Sequence, residues 1–329
     1  MISLNLPILG IDVDKDFLVV FLMFDGGTKL NQFNNNQTGI RSMVRWLKKL
    51  GLETVLVCLE ATGRYGELVA RLLYEHGHKV CVVNPAWIAR HKEALNRTNK
   101  TDPKDAEAIA DYARCFSSKL RLWEPLDPNR LRLRDVVGQI QLLTKTITAF
   151  SNRGACGLEF DEVNCSNSAT IDYLNERLEE MNQLRERLYD SLPELNEIRE
   201  LLDSVPGIGH EIADALIVKV NFQDFESGRQ LASYLGCASS EWKSGKQERK
   251  GKQKKTGDRG LRSLIRQGAA SGLKSHFFHS FVQRLRNKGL SNGQIVGAIA
   301  RKMLLIAHAV VRKKTYFDPL YLNPLAFKI

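Results

Sequence analysis

Two short apolar runs divided by three polar residues open the chain: Ile8 to Val13, then Asp14-Lys15-Asp16, then Phe17 to Phe24. Runs this short, split by so tight a polar turn, predict a β-hairpin. A weaker strand is expected near Leu30 to Phe33. Ile40, Met43, Val44 and Leu47 then recur at helical spacing within Ile40 to Leu50. Thr54 to Leu59 is a β-branched run that ends in Glu60. Leu68 to Tyr74 reads as a helix ended by Gly77, and Lys79 to Val83 as a strand closed by Asn84-Pro85. The order is three strands, then helix, strand, helix, strand, helix. It predicts an α/β fold built on an open mixed sheet covered by helices.

The pattern changes after about residue 125. Leu131, Val136, Ile140, Leu143 and Ile147 predict one helix, and Ile171, Leu174, Leu178, Met181, Leu184 and Leu188 a second. The second set is close to an a/d seam, so a coiled coil and an ordinary pair of bundle helices are both open. The polar segment 151–169 is expected to connect them, and Pro193 to end or kink the second helix. With 329 residues and 43% apolar content, the chain is long enough for two or three packed domains. The expected division is 1–125, 126–203 and 204–329, the last mainly helical.

Charge follows the same division. The three segments carry +3, −6 and +14, within a total of +11. The last segment is therefore expected to meet a polyanion, and the middle one is not. The six cysteines are scattered without a C-x-x-C pair, so reduced thiols in a cytoplasmic protein are expected rather than a disulfide frame or a zinc knuckle. No run of about 18 apolar residues occurs, and no basic stretch precedes the apolar N-terminus, so neither a spanning helix nor a signal peptide is expected.

Two features of the last segment bear on phosphate. Val205-Pro206-Gly207-Ile208-Gly209 lies between two helical patterns. Gly207 and Gly209 fit either a helix-hairpin-helix turn whose amides hold a DNA phosphate or simply a tight turn. Residues 239–260 read as a long loop. From there into the next helix run Lys243, Lys246, Arg249, Lys250, Lys252, Lys254, Lys255, Arg259 and Arg262, opposed only by Glu248 and Asp258. A solvated loop is the plain reading, and nucleic-acid binding the one its +14 context favours. Trp242 fits a stacking role or a core anchor equally.

The first segment carries candidate acid chemistry. Asp12 ends the first strand and Glu60 ends the strand from Thr54, and in a mixed sheet such ends are adjacent. Asp102 and Asp105 are i, i+3 and share a helix face. Four converging carboxylates repel one another unless a cation bridges them, and hard oxygen ligands suit Mg²⁺ or Mn²⁺. Each has a plainer reading. Asp102 fits an N-cap followed by Pro103, with Asp105 favouring the helix dipole, and Asp12 fits a turn.

Gly10-Ile11-Asp12-Val13-Asp14-Lys15, Leu59-Glu60-Ala61-Thr62-Gly63-Arg64-Tyr65 and Asn99-Lys100-Thr101-Asp102-Pro103-Lys104-Asp105-Ala106 resemble the three acidic blocks of the DEDD transposases of the insertion-sequence 110 family, relatives of the Piv-type DNA invertases. Val205-Pro206-Gly207-Ile208-Gly209 resembles the start of that family's C-terminal domain. Ser244-Gly245, Gly257 and Leu261-Arg262 resemble its serine-containing block. The resemblance implies a RuvC-like, RNase H-type N-terminal domain whose tetrad, Asp12, Glu60, Asp102 and Asp105, binds Mg²⁺. It implies a coiled-coil segment, and a C-terminal domain whose nucleophile is Ser244. Where the family often has proline, this chain has Ser239, so Ser239 and Ser240 stand near the assigned serine as decoys. The implied activity is transposition: donor and target DNA are cut and rejoined through a phosphoserine, directed in some members by a structured guide RNA. The implied assembly is a dimer or tetramer with no membrane partner. The same tetrad without a covalent serine describes a metal-dependent nuclease or Holliday-junction resolvase. The basic loop alone describes a non-enzymatic nucleic-acid-binding protein.

Overall fold

The computed structural model of the 329-residue chain describes residues 6–95, 101–157, 159–238 and 257–319, together with the backbone of 242–244 and 247–249. The chain divides into two compact units, Met1–Leu126 and Asp127–Ile329.

The first unit is the expected mixed sheet. Its elements are β1 (Ile8–Val13), β2 (Phe17–Phe24), β3 (Gly27–Asn34), α1 (Gln37–Lys49), β4 (Leu56–Glu60), α2 (Arg64–Glu75), β5 (Lys79–Val83), α3 (Pro85–Ala94) and α4 (Asp102–Phe116). The strand order is β3-β2-β1-β4-β5. The first three strands form an antiparallel meander, in which Val13 pairs with Leu18, while β4 and β5 run parallel to β1. The polar turn closes as read: Asp14 accepts from the Asp16 amide at 3.0 Å.

β1 is covered on both faces, one by α1 and α2 and the other by α4. Leu9 and Ile11 point into a core shared with Ile40, Met43 and Leu47 of α1 and Val69 and Leu73 of α2. Their alternates, Gly10 and Asp12, face α4, since successive strand side chains point to opposite faces. A smaller core on the α3–α4 side joins Cys58 and Val83 to Ile88, Ile109, Tyr112 and Ala113.

The second unit contains α5 (Pro128–Ala155), α6 (Asp161–Asp190), α7 (Pro193–Asp203), α8 (His210–Lys219), α9 (Gly228–Tyr234), the short β6 (Trp242–Ser244) and β7 (Gln247–Arg249), α10 (Arg259–Ser271), α11 (His279–Asn287) and α12 (Asn292–Lys313). Residues of α5 and α6 share its core with those downstream: Leu133, Val136, Ile140, Leu188 and Tyr189 pack with Leu202, Ile212, Leu216, Ile299 and Met303. A buried polar knot ties α6, α7 and α8. Asp214, only 2% exposed, accepts from Tyr189 Oη at 2.7 Å and pairs with Arg185 at 3.1 Å and Arg199 at 3.4 Å. Arg130 Nη2 donates to the carbonyls of Ile217 (2.7 Å) and Val220 (3.0 Å), satisfying the end of α8.

Two expectations need correction. The polar segment 151–169 is not a long connector, because α5 continues to Ala155 and α6 begins at Asp161. Helical hydrogen bonds need no apolar face. Here polar side chains also bind across the pair: Asn167 Nδ2 donates to the Phe150 carbonyl at 3.2 Å. The loop over 239–260 contains β6 and β7, paired antiparallel with Trp242 opposite Arg249 and Ser244 opposite Gln247. Strands of three residues are below the length at which alternation can be read from a sequence. The longest apolar helix, α12, has the length and mean hydropathy of a membrane-crossing helix, but Arg301 and Lys302 interrupt its apolar run. Its Ile295, Ile299, Met303 and Leu304 are buried in the core of the second unit.

Candidate active site

Asp12 and Glu60 reach one edge of the sheet by register. Ile11 pairs with Leu59 in the parallel β1–β4 ladder, so the next residue on each strand is a carboxylate. Parallel neighbours are about 4.8 Å apart, and both side chains emerge at the C-terminal ends of their strands. Glu60 closes β4 opposite Val83. The chain then turns through Gly63, whose φ of 67° a side chain would strain, and enters α2. The Ala61 amide donates to the Val83 carbonyl at 2.9 Å, tying the loops after β4 and β5 together. Asn35 Nδ2 donates to the carbonyls of Asp14 (2.8 Å) and Tyr65 (3.1 Å), fixing the β1–β2 turn to the start of α2.

The other two carboxylates arrive on α4. The helix crosses β1 so closely that a Cβ on Gly10 would lie 2.3 Å from the Ala106 carbonyl oxygen and 2.5 Å from the Ala110 nitrogen. Gly10 thereby lets the first turn of α4 down onto the face that carries Asp12. The expected N-cap role for Asp102 is not met: the cap residue is Thr101, no side-chain cap bond forms, and Asp102 is the first helical residue. The Thr101 carbonyl instead accepts from the Asp105 amide at 2.9 Å, which starts the helix one residue early. Asp102 is exposed and Asp105 is 8% exposed. Both sit where the helix dipole favours negative charge.

The charges meet at Asp12. Burial pushes its carboxyl above the ordinary carboxylate range, and the charges of Asp105 and Asp102 push it further. Lys92, on α3, acts in the opposite direction. Its Nζ lies 2.5 Å from Asp105 Oδ1. Neither Lys92 nor the role of Gly10 was apparent as a site feature in the sequence. A glycine inside a strand is a recognised sign of close backbone approach and could have signalled Gly10. Lys92, in a helix with ordinary charged neighbours, gave no signal.

Among the described residues, one group of three ligand-type side chains has its atoms within 4.8 Å of one another: His91, Asp111 and Cys115. Asp111 is already engaged there, by Arg114 at 2.6 Å and by His91 Nε2 at 2.9 Å. Burial raises its carboxyl, but these hydrogen bonds outweigh burial and hold it below the ordinary range. The group is a clamp between α3 and α4.

In the second unit, Gly207 and Gly209 lie in the turn between α7 and α8. Ile208 N donates to the Val205 carbonyl at 2.9 Å, and Gly207 has φ 89°. With Pro206 before it, this is the pattern of a type II turn. A Cβ on Gly207 would lie 2.9 Å from the Gly268 carbonyl, so close packing on α10 accounts for this glycine. Arg259 opens α10, and Arg262 Nη1 lies 3.4 Å from the Gly257 carbonyl. Ser244, Lys243 and Arg249 fall in β6 and β7, where only the backbone is described. Lys246, Lys250, Lys252, Lys254 and Lys255, the decoys Ser239 and Ser240, and Asn99 and Lys100 of the third acidic block lie outside the described residues.

Comparison with known proteins covers most of the chain. The family model of DEDD transposases of the IS110 type matches residues 9–159, and that of the transposase IS116/IS110/IS902 family matches residues 199–283. The pilin gene-inverting protein of Moraxella bovis is 29% identical over 319 residues, covering 94% of this chain and 97% of that protein. A probable family 20 transposase of Pseudomonas aeruginosa is 26% identical, covering 82% and 87% of the two chains. A 43.6 kDa protein of insertion element IS110 from Streptomyces coelicolor is 23% identical, covering 94% and 95%. Among solved structures, T. thermophilus RuvC in complex with Holliday junction substrate is 15% identical, with a TM-score of 0.27 over 36% of this chain and 99% of that one. With acidic blocks on a mixed sheet and family matches over residues 9–159 and 199–283, the chain belongs to the IS110 family of transposases.

Proposed function

We propose that this DNA transposase cuts and rejoins DNA strands at the carboxylate cluster of Asp12, Glu60, Asp102 and Asp105, with Ser244 as the attacking nucleophile. The supporting observation is that carboxylates from β1 and α4 act on one another at the C-terminal edge of the sheet, where Glu60 is held in register. Such a concentration of negative charge, with Asp12 raised by burial and by its neighbours, fits a divalent cation held by oxygen ligands. Asp12, Glu60, Asp102 and Asp105 would hold Mg²⁺. When bound, that ion lowers the cost of negative charge developing on a transferred phosphate.

The chain's own groups divide the remaining work. Ser244 Oγ forms a bond to phosphorus as the bond from that phosphorus to one sugar oxygen breaks; the serine proton leaves to solvent, and the departing sugar oxygen takes a proton from solvent. The released strand keeps a free hydroxyl. A second hydroxyl then attacks the phosphoserine, restores the serine and joins the new strand. The ester conserves the phosphodiester bond energy, so rejoining needs no nucleotide triphosphate. The basic residues from Lys243 to Arg262 hold DNA and RNA phosphates, in keeping with the +14 charge of the last segment. A structured RNA that pairs with donor and target DNA, a RuvC-like catalytic domain, a coiled-coil α5–α6 hairpin and a dimer or tetramer complete this reading.

Product analysis tests it. The protein, Mg²⁺, the proposed guide RNA and labelled donor and target duplexes are incubated together. Rejoined strands, absent with Asp12→Asn and with Ser244→Ala, are expected. Hydrolysed ends produced equally by wild type and Ser244→Ala would replace the recombinase with a nuclease.

A further inference from the structure

The carboxylate cluster contains a positive charge of its own. Lys92 reaches from α3 to Asp105, the most buried carboxylate of the four, with Nζ 2.5 Å from Oδ1. The same ammonium acts on Asp12, where it opposes the charges of Asp105 and Asp102. Lys92 therefore lies against the oxygens that the reading above gives to a divalent ion.

Docking of α3 does not depend on this contact. Ile88 is fully buried in the core with Ile109, Tyr112 and Ala113. His91, the neighbour of Lys92, binds Asp111 on α4 at 2.9 Å and packs edge-on against Tyr112 and Phe116. The helix is thus anchored beside Lys92 by two other sets of contacts. A lysine ammonium is a compact charge on a flexible four-carbon stem, able to leave one partner without moving its helix. The Lys92 side chain keeps 23% of its surface in solvent, so a path outward exists. An ammonium and a divalent ion on one carboxylate would stand a few ångströms apart, and like charges at that distance repel strongly at protein dielectric values.

We propose that Lys92 is the resident cation of the carboxylate site: its ammonium holds Asp105 while no divalent ion is bound and is displaced when one binds. The proposal rests on the carboxylates being metal ligands. Lys92 is a positioning residue in this scheme. It keeps the first turn of α4 in place in the unloaded protein and lowers the site's affinity for a divalent ion.

The test is equilibrium binding of Mn²⁺ to the full chain, with free ion read by electron paramagnetic resonance. Lys92→Gln is expected to bind about tenfold more tightly than wild type, Lys92→Arg no more tightly than wild type, and Asp12→Asn to lose the site. Equal or weaker binding by Lys92→Gln overturns the proposal. If that variant does not fold, the wild-type chain decides. Labelling of Lys92 by an amine-reactive reagent, read by mass spectrometry, is expected to rise several-fold when Mg²⁺ saturates the site, and a rate indifferent to Mg²⁺ overturns the proposal. Absence of Mn²⁺ binding to wild type and Lys92→Gln alike overturns the metal reading itself, and this proposal with it, an outcome distinct from equal binding by both.

Discussion

Replacing Gly10 with alanine adds one carbon where there is no room for it. The new Cβ would stand 2.3 Å from the Ala106 carbonyl oxygen, 2.5 Å from the Ala110 nitrogen and 2.8 Å from the Ala110 Cβ, whereas ordinary contact begins at 3.4 Å. Two of these atoms are helix backbone, so no side chain can rotate aside, and α4 must move off β1 by about 1 Å. Overpacking of this kind costs about 3 kcal/mol, a large part of a typical domain's stability. The same displacement carries Asp102 and Asp105 away from Asp12, and misplacement by about 1 Å at a reacting centre costs about 100-fold in rate. Urea unfolding and a strand-rejoining assay measure the two effects. Gly138→Ala on α5 is the control, since a Cβ there meets nothing within 4 Å. In a helix interior that change is expected to stabilise by up to about 1 kcal/mol. A Gly10→Ala protein with wild-type unfolding midpoint and activity would refute the claim that close packing of α4 on β1 positions the site.

Further predictions concern charge and turns. Asp12→Asn removes a carboxylate that its neighbours repel, so the metal-free protein is expected to melt no lower than wild type while strand joining is lost; a large fall in Tm would count against mutual repulsion. His78 is 4% exposed with neither ring nitrogen hydrogen-bonded, and burial lowers its pKa from the ordinary 6.5. The unfolded chain therefore binds a proton at a higher pH than the folded one, and stability is expected to fall as pH drops through 6.5 toward the folded-state value. His78→Leu should flatten that part of a Tm-against-pH profile. Tyr189→Phe removes the hydroxyl donor to buried Asp214 and is expected to cost about 1–3 kcal/mol in chemical denaturation. Gly207→Ala meets both a φ of 89° and the Gly268 carbonyl, so a loss of about 2 kcal/mol or more is expected, where a purely DNA-facing glycine would leave stability unchanged.

The mixed sheet was legible because β1, β2 and β4 are short apolar runs bounded by turn residues, a pattern set by local chemistry. The adjacency of Asp12 and Glu60 was legible because parallel register makes the ends of neighbouring strands coincide. The first turn of α4 was read in type but misplaced by one residue, since Thr101 and Asp102 are both acceptable caps and the choice depends on how the helix meets β1. Three features were hidden. The continuation of α5 and α6 through 151–169 lacks an apolar stripe. The β6–β7 pair is too short to show alternation. Lys92 meets Asp105 only because α3 and α4 pack together, a tertiary fact with no trace in spacing. The three acidic blocks carried the family resemblance; in the fold, Glu60 ends the strand paired beside that of Asp12, and the first turn of α4 brings Asp102 and Asp105 to act on Asp12.

The most direct test of the account is covalent trapping. A donor DNA that cannot be rejoined is incubated with the protein, Mg²⁺ and the proposed guide RNA, then run on a denaturing gel beside Ser244→Ala. The account predicts a DNA band retarded by attached protein in wild type and absent in the variant. Cleaved DNA free of protein in both lanes would contradict it.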